Sequence, residues 1–138
     1  MENKNPLVLV ADDDEDDRFF LQLAFRDSYP DCKVEFASDG VEFLDHLNHQ
    51  TDKPDLVLLD INMPRMDGWE VLKAMRGNTA YQDIPIVIYS TSDDEFDKAL
   101  ARRLKADMYI TKPSAINELQ DLVLLFRREW LETGPVTL

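Results

Sequence analysis

Asp12, Asp13, Asp60, Ser90, Thr91, Thr111 and Lys112 are the residues of this chain best placed for chemistry, because each follows a short apolar run. Asp12 and Asp13 come after Leu7–Ala11, and Asp60 after Leu56–Leu59. Ser90 and Thr91 follow Ile86–Tyr89, and Thr111-Lys112-Pro113 follows Met108–Ile110. One polar group after one strand means little, since strands must end somewhere. Suitable groups after four of them are a stronger signal. A carboxylate such as Asp60 at a strand end can be a metal ligand, a nucleophile or a helix cap. Clustered carboxylates raise one another's pKa unless a cation sits among them. Magnesium suits such a place, since it takes one or two carboxylates plus waters and phosphate oxygens. Phosphoryl transfer to a carboxylate needs this set of groups: an aspartate attacks phosphorus and forms an acyl phosphate. The transferred group carries charge on three equatorial oxygens, so positioning and electrostatics do most of the work. A metal would neutralise one side, the Lys112 ammonium a second, and a hydroxyl would bond the third.

The elements that must hold these residues alternate along the chain. Apolar runs at 7–11, 34–37, 56–59, 86–89 and 108–110 read as strands. Helical patterns lie near 17–28, 40–48, 69–75, 94–104 and 115–131. Five such units imply a parallel sheet with helices on both faces, which brings all the strand ends to one edge. There is no internal repeat and no linker, so residues 1–138 read as one α/β domain, with a core of about 6–131 and a short tail at 132–138. In the last helix Ile116, Leu119, Val123, Phe126 and Trp130 form one apolar stripe. Leu124 and Leu125 fall off it, which suggests exposure and a partner or dimer surface. The first helix is apolar beyond one stripe, with Phe19, Phe20, Leu21, Leu23, Ala24 and Phe25.

Composition narrows the classes. With 28 acids against 15 bases the net charge is −13, which repels nucleic acid and anionic membranes and suits a cation or a basic partner surface. No run is long enough to span a bilayer, and the polar N-terminus Met1–Pro6 lacks a signal-peptide core. Cys32 is the only cysteine, so no internal disulfide can form and a reducing cytoplasm is the default.

At this point the motifs resemble those of the receiver domain of two-component response regulators. They are Val10-Ala11-Asp12-Asp13, Asp55 to Asp60, Met63-Pro64-Arg65-Met66-Asp67-Gly68, Ser90, and Tyr109-Ile110-Thr111-Lys112-Pro113. The likeness runs from Leu7 to about Trp130. It implies a flavodoxin-like, doubly wound five-stranded sheet of order 2-1-3-4-5. It implies Asp60 as phosphoacceptor, Asp13 and Asp60 as direct magnesium (or manganese) ligands, Asp12 acting through water, and Asn62 offering its backbone carbonyl. It further implies Ser90 and Lys112 as contacts of the phosphoryl group and Tyr109, with Ser90, as the switch. Pro113 matches a proline that usually follows a cis bond in the family, against a base rate of about 5–6% for X–Pro bonds. Chemotaxis-type single-domain receivers are similar, and Asp12–Arg18 with the long Gly77 to Pro85 connection is similar to regulators that partner phytochrome-type kinases.

Other residues have plainer readings. Asp14 to Asp17 read as a helix cap and an acidic first turn. His46 and His49 read as a solvated face rather than a metal pair, Thr111 as a strand end, Trp69 as packing, and Cys32 as partly buried and inert. Three residues depart from the family pattern. Ser90 replaces the commoner threonine, Thr91 stands where a very small residue is usual and would narrow access to Asp60, and Lys105 replaces a helix-ending glycine. A lysine in the left-handed region costs roughly 1 kcal/mol, so remodelling of that helix end is expected.

The expectation is a stand-alone regulator, not an enzyme beyond its own phosphorylation and dephosphorylation. It would take a phosphoryl group from a sensor histidine kinase or a histidine phosphotransfer protein, and would signal to a downstream protein target. Its signalling surface would be the face of the fourth helix, fifth strand and fifth helix, which leaves room for a homodimer. Neither nucleic acid nor membrane is an expected partner. Two rivals remain. A magnesium phosphohydrolase of haloacid-dehalogenase type would need a second acid where Asn62 stands, and a binding module would keep the fold without phosphorylation.

Overall fold

A computed structural model describes residues 5–132. The calls on Met1 to Lys4 and on the tail from Thr133 onward lie outside the described residues. Strands β1 (Leu7–Ala11), β2 (Lys33–Ala37), β3 (Leu56–Leu59), β4 (Ile86–Ser90) and β5 (Met108–Thr111) form one parallel sheet, in the expected order β2-β1-β3-β4-β5. Helices α1 (Glu15–Ser28), α2 (Gly40–Asn48), α3 (Gly68–Arg76), α4 (Glu95–Arg103) and α5 (Ile116–Phe126) alternate with them. The three inner strands are buried throughout, which is why they read as unbroken apolar runs. Edge strands β2 and β5 are only half-buried.

Side chains on the two faces of the sheet enter separate cores. Val8, Val10, Leu56, Leu58, Val87 and Tyr89 pack with α1 and α5. Leu9, Ala11, Val57, Leu59, Ile86 and Ile88 pack with α2, α3 and the Ala101 side of α4.

Helix starts account for most boundaries. α1 begins earlier than the apolar pattern suggests because Asp14 caps it, accepting from the Asp16 and Asp17 amides. Asp39 caps α2, Asp67 caps α3 in a reciprocal box with Glu70, and Asp94 caps α4. The last helix is regular only to Phe126 and then loosens into a π-helical turn, Arg127–Leu131.

Three expectations change, and the isomer of the Pro113 bond, left open by the sequence, is decided. Ile116, placed on the stripe of α5, is exposed in its first turn, while Leu122 joins Leu119, Val123 and Phe126 in the core. The buried face is therefore wider than a single three-four stripe. Leu124 is exposed as expected, but Leu125 is half-buried against the core. The bond before Pro113 is trans, like every peptide bond among the described residues, which follows the ordinary preference of roughly 0.5–1 kcal/mol. Finally, Lys105 does adopt positive φ, at 71°, yet the helix end is conventional. Lys105 N–H donates to the Arg102 carbonyl and Ala106 N–H to the Ala101 carbonyl, which is the usual left-handed helix stop.

Candidate functional site

Three backbone hydrogen bonds continue the sheet one residue past its strands. Asp12 N–H donates to Ala37 O at 3.0 Å, Asp60 N–H to Ala11 O at 2.9 Å, and Lys112 N–H to Ser90 O at 2.7 Å. They fix Asp12, Asp60 and Lys112 along one edge, as the parallel register requires. The loop after Asp60 is pinned from below. A Cβ on Gly68 would lie 2.1 Å from the Asp60 carbonyl oxygen, so only glycine permits this approach, and Gly68 N–H donates to Ile61 O. A Cβ on Gly40 would meet Met66 O at 2.3 Å. Arg65 takes a left-handed φ of 65° and grips Asp39 through Nε and Nη2, at 3.0 and 2.7 Å.

Asp12, Asp13 and Asp60 each offer a carboxylate oxygen within 4.8 Å of the others. Among the described residues they are the only group of three or more acids, histidines or cysteines so placed. Asp13 is exposed, whereas Asp12 and Asp60 are buried. Asp12 Oδ1 accepts the Asp14 amide at 2.9 Å, and Arg18 Nη1 donates to the Asp12 carbonyl at 2.6 Å. Hard oxygen donors in this number fit magnesium or manganese, with room for water and phosphate oxygens.

Lys112 stands at the centre, its side chain 7% exposed. Its Nζ lies 2.7 Å from Asp17 Oδ2, 2.8 Å from Asp12 Oδ2 and 3.2 Å from Asp60 Oδ2. It also sits 5.5 Å above the Tyr89 ring centroid. Burial pushes the Asp12 carboxyl up to about 6, against the opposing pull of Lys112. Burial likewise raises Asp60, despite the same lysine. For Lys112 burial disfavours the charge, but the bonds to Asp12 and Asp17 and the charges of Asp12 and Asp60 outweigh it and raise its pKa. The site therefore holds three carboxylates around one ammonium, with the exposed Asp13 beside them, an excess of negative charge that is partly buried.

The hydroxyl side is built by the β4–α4 loop. Ser90 is buried, and its Oγ accepts the Ser92 amide at 3.2 Å. Ser92 Oγ in turn donates to Asp97 Oδ2 at 2.7 Å. Tyr109 is half-buried and donates its hydroxyl to Ser92 O at 2.7 Å. Thr111, expected to be a plain strand end, is exposed and donates to Asp93 Oδ1 at 3.1 Å, so it too ties this loop to β5. Thr91 is exposed at the strand end, and Asn62 is exposed two residues beyond Asp60.

Among the described residues the remaining candidates resolve simply. His46 Nε2 lies 3.3 Å from Glu35 Oε1 and His49 Nδ1 lies 2.7 Å from Asp45 O, so they bond separate partners. Cys32 is buried and its thiol is pushed up to about 12 by desolvation, hence inert. Sequence reasoning missed Asp17, Tyr89, Arg18 and the Arg65–Asp39 grip. Only Asp17 left a signal, one turn beyond the acid pair in the same acidic run.

A model of the response regulator receiver domain matches residues 8–124. The chain belongs to the response regulator receiver domain family. This receiver domain is 41% identical over 115 residues to the alkaline phosphatase synthesis transcriptional regulatory protein PhoP of Bacillus subtilis (strain 168), covering 83% of the chain but 45% of PhoP. It thus spans less than half of that relative. It is 30% identical to the response regulator Rcp1 of Synechocystis sp. over 136 residues, 95% of this chain and 92% of Rcp1. Among solved structures, the phosphorylated cyanobacterial phytochrome response regulator RcpA superimposes with a TM-score of 0.85 at 30% identity, covering 95% of this chain and 97% of that one. The manganese-bound form of Rcp1 gives 0.82 at 29% identity, covering 96% and 99%. The receiver fold and the place of the chain in two-component signalling follow. No helix among the described residues is long and apolar enough to cross a membrane.

Proposed function

We propose that Asp60 accepts a phosphoryl group from a phosphohistidine on a sensor kinase or phosphotransfer protein, and that the acyl phosphate alters a protein-binding face. The observation that carries this is Lys112 Nζ 3.2 Å from Asp60 Oδ2, beside three carboxylates within 4.8 Å of one another. Asp13, Asp60 and the Asn62 carbonyl would hold a magnesium or manganese ion, with Asp12 bonding its water. Manganese in Rcp1 supports the choice of ion. When bound, the ion supplies positive charge for the carboxylates and the transferred group.

The chain's own groups then have separate parts. An Asp60 oxygen attacks phosphorus as the bond to the histidine nitrogen breaks. Lys112 offers an N–H to one phosphoryl oxygen and Ser90 its hydroxyl to another. Moving Ser90 toward the phosphate would withdraw the acceptor of the Ser92 amide, and Ser92 is also where Tyr109 is held. A local charge change thereby reaches the face of α4, β5 and α5. The likeness to a phytochrome response regulator favours a phytochrome-type kinase as donor.

Intact mass after incubation with magnesium and a small acyl phosphate tests this. One phosphoryl adduct, absent from Asp60→Asn, is the expected result. No adduct at any magnesium level leaves a binding module instead. Steady phosphate release from unrelated phosphomonoesters would favour a hydrolase, which Asn62 in the second acid's place already disfavours.

A further inference from the structure

We propose that Asp17 is a positioning residue, which holds the Lys112 ammonium at Asp60 throughout phosphoryl transfer; this rests on reading Asp60 as the acceptor. An ammonium has three N–H donors, and three carboxylates surround this one. Asp17 makes the shortest contact, 2.7 Å, against 2.8 Å for Asp12 and 3.2 Å for Asp60. Asp17 is itself held in place, because its amide donates to the capping Asp14 Oδ1 at 3.1 Å in the first turn of α1. The group of three carboxylates suited to a divalent cation includes Asp12 and Asp60 but not Asp17. A cation would thus draw on two of the three acceptors of Lys112 and leave Asp17 to the lysine alone. When Asp60 gains its phosphoryl group, the bonded carboxyl oxygen loses its charge and a phosphoryl oxygen becomes the better acceptor. The N–H aimed at Asp60 passes to that oxygen while Asp17 keeps the nitrogen where it was. A long flexible side chain is in this way ordered before reaction, which is where such groups contribute to rate. An acid that served only the helix dipole would have no need of Lys112.

The experiment measures adduct formation by intact mass at saturating magnesium and acyl phosphate. Asp17→Asn lowers the rate about tenfold, the scale of one ordered charge contact, and Asp17→Glu restores part of it. In a Lys112→Gln background the same Asp17→Asn change has less than about a twofold effect, since the two residues act as one unit. Without metal, the Lys112 ammonium gives a protected 15N–1H signal in the unmodified protein and in Asp17→Glu, and loses it in Asp17→Asn. A loss of equal size with and without Lys112, or an Asp17→Asn rate within twofold of the unmodified protein, overturns the proposal while leaving the acceptor reading intact. No adduct on the unmodified protein overturns both.

Discussion

The two edges of the sheet solve the same problem in opposite ways. At the edge where the strands begin, carboxylates are matched by backbone amides and one guanidinium. Asp55 Oδ2 accepts the Leu7 amide at 2.8 Å and Asp107 Oδ2 the Ile86 amide at 2.8 Å. The Arg76 guanidinium joins Asp107 to the carbonyls of Gln82, Ile84 and Lys105. At the edge where the strands end, three carboxylates share one ammonium and a fourth, Asp13, lies beside two of them. The balanced edge ties α3, α4, β4 and β5 together; the unbalanced edge has charge left over for a cation and a phosphoryl group. Unequal matching of this kind marks the place where stability was given up for chemistry.

The sharpest way to break that division is Arg76→Ala. Removing a guanidinium with four partners costs about 2–3 kcal/mol, read from the urea midpoint, since three carbonyls and a carboxylate lose their donor. Adduct formation on Asp60 stays within about twofold wherever the variant is folded. If the rate dropped together with stability, the two edges would not be separable.

Next in size is a pH effect confined to the acidic edge. Cation binding needs Asp12 ionised, and its folded pKa is raised to about 6. Magnesium affinity, followed by titration calorimetry, is therefore full above that pH and falls by up to about tenfold per unit below it. The metal-free protein responds with the opposite sign. A carboxyl raised from 3.8 to about 6 on folding costs stability while ionised, and that cost is relieved as pH falls from above 6 toward 4.

Asp60→Asn gives a smaller effect of the same origin. It removes one of the crowded charges, so the metal-free protein gains about 1 kcal/mol in thermal or urea unfolding, and added magnesium stabilises it less than it does the unmodified chain. A loss of stability would mean that Lys112 already neutralises the edge. The smallest change belongs to the balanced edge. Lys105→Gly relieves a side chain at φ 71° while keeping the carbonyl that Arg76 grips, for a gain of about 0.5–1 kcal/mol.

Much of this was legible in the chain. The buried inner strands and the edge that gathers Asp12, Asp13, Asp60, Ser90 and Lys112 follow from apolar runs that end in polar residues, while the strand order came from the resemblance to the receiver family. Lys105 announced its left-handed turn by standing where a glycine is usual. Asp17 was read only as a helix acid, because its distance from Lys112 along the chain hides a 2.7 Å contact. Ile116 was misplaced, and the Pro113 bond was left open between cis and trans, for different reasons. A stripe does not say where a helix begins to overhang its core, and a family habit does not set one peptide bond.

What the sequence determined alone is local or periodic: which runs are buried on both sides, where aspartates cap helices, and which residue types stand at strand ends. Tertiary structure decided how those groups share their charges. Whether an ammonium meets one carboxylate or three depends on where α1 is seated against α5 and the sheet, and so on packing throughout the core they share. Lys112 could be read as a cation from its letter; that Asp12, Asp17 and Asp60 all hold it could not.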